Sequence, residues 1–265
     1  MNILDFGFGS LEAQLWQIIF LSIRCGAALL AAPMVGGMAV PAPVRILLSI
    51  VLGYFVASWV PLAPAPAMLS FAALLAVLHE VLVGTALGFV LQLAFAIPLI
   101  AAEQISGTMG LAIATSIDPA SGAQSGALGT FFGLVLSLLF YAIGAHLLWF
   151  ELLVESYRLL PAGDFAFGAW RAESIGLFFG YGLATAAAIA LPVVLVLLLV
   201  QVVTGLVARS APSLNLFALG LPAGVLAGIA ALFIAVPVMV EQFAGVIAAA
   251  LDQSTALIAA EPPRG

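Results

Sequence analysis

The sequence predicts an all-α, polytopic membrane-type fold built from about six long, bent, hydrophobic helices. Three observations carry that reading. Of 265 residues, 65% are hydrophobic and only 7% charged, with a mean hydropathy of +1.30. A soluble domain carries about 25% charged residues, so these few charges cannot coat a water-facing surface of this size. The apolar residues also gather into continuous runs near 13–35, 44–62, 69–102, 126–150, 174–208 and 214–240. Most reach the ~20 residues a helix needs to cross a bilayer, and none shows the period-2 alternation of a barrel strand. A soluble enzyme domain and intrinsic disorder are both excluded.

The first run carries Arg24 at its middle, followed by Cys25, the only cysteine. One cysteine excludes an internal disulfide and any multi-cysteine metal site, and its apolar neighbours make it a small buried hydrophobe. The segment before this run holds Asp5 and Glu12 and no arginine, so no cleavable signal peptide is expected. The second run opens near Arg45. The third, with His79 and Glu80 inside it, covers 34 residues, and the fifth covers 35. At 1.5 Å per residue each makes a helix of about 50 Å, against a bilayer core of about 30 Å. Each must therefore tilt, bend or extend beyond the membrane. Pro98 and Pro192 offer bend points, as do Pro222 and Pro237 in the sixth run, because each removes a backbone donor.

Charge is sparse and acidic: six arginines and no lysine against twelve carboxylates, a net of −6. There is no basic stripe for nucleic acid. The loop arginines, among them Arg158, Arg171 and Arg209, are too evenly divided to orient six spans by the positive-inside rule. That pattern suits a chain placed by its partners. Glycines recur four apart at Gly84/Gly88, Gly129/Gly133, Gly176/Gly180 and Gly220/Gly224/Gly228. Small faces of this kind let helix backbones approach closely in a membrane, and the triple repeat reads as a close-packed helix–helix interface.

Arg24, His79 and Glu80 lie inside apolar runs, where ionisable groups face protein or water. With Glu103 they admit two readings, a proton relay or charge pairs between neighbouring helices or subunits. One histidine and two scattered carboxylates make a thin relay, which favours the pairs. The stretch Glu103–Thr130 is rich in Gly, Ser, Thr and Ala and breaks at Asp118-Pro119. It is too apolar for a solvated loop, and Met109, Leu111, Ile113 and Ile117 suit a segment packed within a protein cavity, the alternative being an ordinary re-entrant connector. Catalytic signals are nearly absent. Ser125, in Gly122–Gly126, superficially resembles the nucleophile of rhomboid-type intramembrane proteases, with His146 as base. Ala123 stands where that motif needs glycine, so no enzyme, metal or cofactor is expected.

Taken in order, these residues resemble the FliR family of flagellar biosynthetic proteins, whose virulence counterparts are the SpaR/YscT-type injectisome components. The resemblance runs from Arg24, Pro33, Pro41 and Arg45 through His79-Glu80 with Gly84 and Gly88, then Glu103–Gly110 and Asp118-Pro119. It continues through Gly144–His146, Ser156, Pro161, Gly163 and Leu191-Pro192. It ends with Gly205, Arg209, Ala211-Pro212, Asn215, Phe217, Gly220 and Pro222. Ala145 is a mild departure, where the family has a second glycine before the histidine.

The resemblance implies a non-enzymatic structural and gating subunit of the type III protein export gate of the bacterial inner membrane. It implies helical hairpins assembled with FliP-like and FliQ-like subunits, together with FlhB-like and FlhA-like components. Unfolded flagellar proteins would be the substrates, and much of the assembly would stand on the periplasmic side. It further implies a FliP-like part over 1–173 and a FliQ-like hairpin and tail over 174–265. An internal plug maps to about 107–118, with Gly107, Met109, Gly110, Leu111, Ile113, Ile117 and Asp118 as its residues. The alternative from the residues themselves is a proton-coupled secondary transporter using His79, Glu80 and Glu103, and the resemblance leaves open the equivalent subunit of a virulence injectisome. A transporter usually shows internal repeat symmetry, and the two halves of this chain show no convincing duplication.

Overall fold

The computed structural model describes residues 10–36, 40–60, 65–67, 70–111, 126–162, 168–210 and 216–259. Among these, the secondary structure is helical throughout, with no strand. In order the helices are α1 (Ser10–Ala31), α2 (Ala42–Trp59), α3 (Phe71–Met109), α4 (Ala127–Ala142), α5 (Ala145–Leu159), α6 (Ala169–Ser210) and α7 (Leu216–Ile258). Five are long and apolar enough to cross a membrane, or six if the bent pair α4 and α5 counts as one.

The largest departure from the sequence reading falls in the fourth run, which is two helices meeting at 69°. Gly144 causes the break. Its φ of +74° lies in the left-handed region, so it ends α4's course and starts α5. Glycine takes this conformation without the Cβ clash any other residue meets. Helix boundaries differ elsewhere too. α3 continues through Glu103 to Met109, about two turns beyond the expected run, because Ala101, Ala102, Ile105 and Met109 keep a buried face at helical spacing. α7 continues well past residue 240. There Phe243, Val246, Ile247, Ala250, Ser254, Leu257 and Ile258 form a buried stripe at three- and four-residue intervals. Glu241 ends the uniformly apolar run, and an amphipathic helix takes over.

The chain forms two compact units. The first comprises Met1–Leu93, Gly144–Phe178 and Ala249–Gly265. In it α1 packs against α2 and, along its other side, the first half of α3. Gly53 of α2 meets the backbone of Ile18 and Ser22. Gly84 and Gly88 of α3 press on α1 so closely that an added Cβ would strike the carbonyl oxygens of Arg24 and Ala28. Close approach of this kind supplies the van der Waals contact that holds helices together where lipid removes any hydrophobic drive. Trp16 of α1 donates its indole N–H to the carbonyl of Pro66 at 2.8 Å.

The second unit comprises Ala94–Ile143 and Phe179–Ala248. Its centre is aromatic. Phe95 meets Phe140 edge-on at 5.5 Å, and Phe132 meets Phe243 in the same way at 5.4 Å. Gly182 of α6 leaves room for Ile97 of α3, whose side chain would lie 3.2 Å from an added Cβ.

Candidate functional site

In the first unit, Arg24 is the centre of a buried polar cluster. Its guanidinium forks onto Glu80 of α3, with Nε donating to Oε2 at 2.9 Å and Nη2 to Oε1 at 2.8 Å, and both side chains are wholly buried. Nη1 donates to the carbonyl and hydroxyl of Ser156, at 2.8 and 3.1 Å, and Nη2 donates also to the carbonyl of Leu160 at 2.9 Å. An arginine has five N–H donors, and here all five have acceptors. The guanidinium carbon lies 4.2 Å from the centre of the Tyr157 ring.

Two consequences follow. The charges of Arg24 and Glu80 cancel within one bidentate pair, the arrangement a buried ion needs. Arg24 also caps the C-terminal end of α5: it adds a second donor to the Ser156 carbonyl, which already accepts from the Leu160 N–H, and it supplies one to the Leu160 carbonyl, an end group without a helical donor of its own. Tyr157 donates its hydroxyl to the carbonyl of Leu21 and lies 3.4 Å from the sulfur of Cys25. Cys25 is fully buried. His79 is buried beside the pair, its Nδ1 3.7 Å from Glu80 Oε1.

A second buried arginine plays a similar part, and sequence reasoning missed it. Arg171, at the start of α6, donates from Nε to the carbonyl of Leu257 and from Nη2 to that of Ala259, both at 2.7 Å. Its guanidinium stacks on Trp170 at 4.4 Å. It thereby closes the C-terminal end of α7, while Gln253 donates to Ser174 Oγ at 3.1 Å. In the sequence, Arg171 reads only as a loop charge, because nothing local pairs it with a carbonyl 86 positions away.

The second unit holds the described part of the 107–118 segment. α3 ends in a turn that closes its own last carbonyls: Gly110 N–H donates to Gly107 O at 3.1 Å and Leu111 N–H to Ser106 O at 3.0 Å. This is the Schellman pattern, which needs a left-handed residue at the first position past the helix. Gly110 supplies it with φ +84°. Met109, buried to 4% exposure, lies on α7 at Gly228, where an added Cβ would stand 2.6 Å from its Cε and 2.8 Å from its Sδ. A Cβ at Gly224 would stand 3.4 Å from the Met109 carbonyl oxygen, and Gln201 of α6 donates to the carbonyl of Thr108 at 2.9 Å.

The other residues singled out in the sequence are placed as follows. Glu103 is exposed and accepts from the backbone N–H of Gly126, just ahead of α4, at 3.1 Å. It serves a helix start, where a carboxylate complements the positive end of the dipole, and belongs to a different unit from Glu80. Glu80 itself has both oxygens engaged by Arg24, which leaves the proposed relay without a free carboxylate at that point. Arg209 is exposed at the end of α6. Gly84 and Gly88 sit against α1, whereas none of the described residues lies within 4 Å of a Cβ at Gly107, Gly176, Gly180 or Gly220. Ser125, Ile113, Ile117 and Asp118 fall outside the described residues, and His146 lies in the first turn of α5. No group of three metal-ligating side chains occurs among the described residues.

Comparison with known proteins gives the context for these features. Residues 15–250 match the family described as bacterial export proteins, family 1. The flagellar biosynthetic protein FliR of Pectobacterium carotovorum subsp. carotovorum is 32% identical over 239 residues, covering 88% of this chain and 89% of its own length. FliR of Escherichia coli (strain K12) is 33% identical over 234 residues, 86% of each chain. The surface presentation of antigens protein SpaR of Shigella sonnei is 33% identical over a shorter stretch of 155 residues, 58% of this chain and 60% of its own. With a family match over nearly its whole length and FliR relatives above 30% identity along most of it, this chain belongs to the FliR family of bacterial export proteins.

Proposed function

We propose that the chain is a structural and gating subunit of the flagellar type III export channel in the bacterial inner membrane. The observation that carries this is the match over residues 15–250, joined to FliR relatives that align along 86–88% of the chain. The SpaR relatives align over 58%, so the flagellar reading is preferred to the injectisome one. Its partners are FliP-like and FliQ-like subunits, with FlhB-like and FlhA-like components, and unfolded flagellar proteins are the cargo. The FliP-like part covers 1–173 and the FliQ-like hairpin 174–265, and much of the assembly stands on the periplasmic side.

A structural role suits the chemistry. The buried polar groups of the first unit satisfy helix ends and one another, which is the work of a scaffold. Broad apolar surfaces remain exposed on α2, α6 and α7, for example Leu47, Tyr54 and Trp59, Leu199 and Val202, and Phe233 and Ile234. Such faces suit lipid and partner helices. The segment 107–118 serves as the plug that closes the path before cargo arrives. A gate needs a closed state only a few kcal/mol below the open one, and small residues with glycines among them change conformation at little steric cost.

The test is ion leakage across the inner membrane in cells carrying the assembled channel with residues 109–116 deleted. Greater leakage than wild type, with assembly retained, is the expected outcome. Normal assembly and wild-type tightness would remove the plug assignment.

A further inference from the structure

The glycine repeat of α7 reads in the sequence as a helix–helix interface, yet two of its three members face the end of α3. Gly228 leaves the space that the Met109 side chain fills, and Gly224 admits the Met109 carbonyl. Gln201, from α6, holds the carbonyl of the preceding Thr108. The backbone then closes on itself through Gly110 and Leu111. Three elements of one unit thus fix the same two residues by packing, by a side-chain hydrogen bond and by a capped turn.

From this we infer that Met109 and its seat on α7 form a permanent anchor for the root of the 107–118 segment, one that stays closed in both states of the channel. The inference rests on the plug reading and adds to it where movement stops. The physical argument is over-determination. Vacating the seat would expose a buried methionine, break the Gln201 bond and leave a gap the size of a side chain beside Gly228. A gate that opened there would lose all three sets of interactions together. One that moves beyond Leu111 keeps them. Met109 is then a positioning residue, and Gly228 is glycine because any side chain would evict it.

Two variants of the full chain, each in the assembled channel, test this. In Met109→Cys/Gly228→Cys the two β-carbons fall within disulfide reach, since the Cβ of residue 228 would lie 2.7 Å from the present Met109 Cγ and disulfides need Cβ atoms about 3.5–4.5 Å apart. Cys25 is fully buried and does not compete. Under mild oxidant the anchor predicts efficient cross-linking with export within about twofold of the reduced sample. A cross-link that stops export, reversed by reductant, would show that the seat must open and would overturn the anchor. Failure to cross-link in assembled channels would overturn it as well.

The second variant, Gly228→Leu, with Gly228→Ala as a milder form, is expected to raise ion leakage several-fold in channels that still assemble. Wild-type tightness in assembled Gly228→Leu channels would contradict the anchor. The deletion of residues 109–116 separates the two ideas. If the deletion leaks but the Gly228 variants do not, the plug stands and the anchor falls. If the deletion does not leak, the plug reading itself fails.

Discussion

Arg24 shows how one side chain settles several costs of burial at once. Its five donors join three helices of the first unit, meeting Glu80 on α3 and the Ser156 and Leu160 carbonyls at the end of α5. Removing one partner of a buried ion pair costs about 3–5 kcal/mol, because the other charge is left uncompensated. Arg24→Leu should therefore lower the yield of the assembled complex sharply, measured by size-exclusion chromatography of detergent extracts. Arg24→Leu/Glu80→Leu should recover part of that loss, since no charge is then stranded. Arg24→Lys should not, because an ammonium cannot fork onto a carboxylate and reach two carbonyls together. A double variant worse than Arg24→Leu alone would contradict this view of the cluster. The sequence showed that Arg24 needed a carboxylate, since charge inside an apolar run demands one. It could not show that the partner was Glu80 or that α5's carbonyls shared the guanidinium, because those contacts join residues 56 and 132–136 positions apart.

At the level of whole helices, glycine spacing marks candidates for close contact but does not say which are used. Gly84 and Gly88 meet the α1 backbone, and Gly224 and Gly228 meet the end of α3, while Gly176, Gly180 and Gly220 face open space among the described residues. Gly88→Leu should therefore separate α1 from α3 and reduce the thermal stability of the chain. Gly176→Ala should leave it unchanged, or raise it by the roughly 0.5–1 kcal/mol that a helix gains when alanine replaces glycine. Thermal melts of the two variants in detergent check the pair, and equal loss in both would contradict the contact assignment. Helix existence was legible because long apolar runs admit no other structure in lipid. Two boundaries were not. The uniform apolarity of residues 126–150 concealed the turn at Gly144, since hydrophobicity alone carries no bend. The sixth run, read to 240, fell short of α7's end at Ile258 because apolarity stops at Glu241, whereas the helix goes on through a buried stripe from Phe243 to Ile258 at helical spacing.

For the molecule as a whole, the central claim is that this chain is a component of the flagellar protein export apparatus. Composition already excluded a soluble enzyme, and the order of many weak motifs carried the family. The residues beyond Leu111 that are proposed for the plug, including Ile113, Ile117 and Asp118, lie outside the described residues, and composition and family resemblance support that proposal. The membership of the family was legible because its residues recur along the whole chain, whereas what meets the exposed apolar faces of α2, α6 and α7 leaves no sign within one sequence. Apolar faces look alike whether lipid or another helix meets them. The most direct measurement is the amount of flagellar structural protein released into the medium by cells that lack this chain, before and after it is restored from a plasmid. The account predicts no release without the chain, and recovery of release and motility with it. Undiminished export from cells lacking the chain would contradict it.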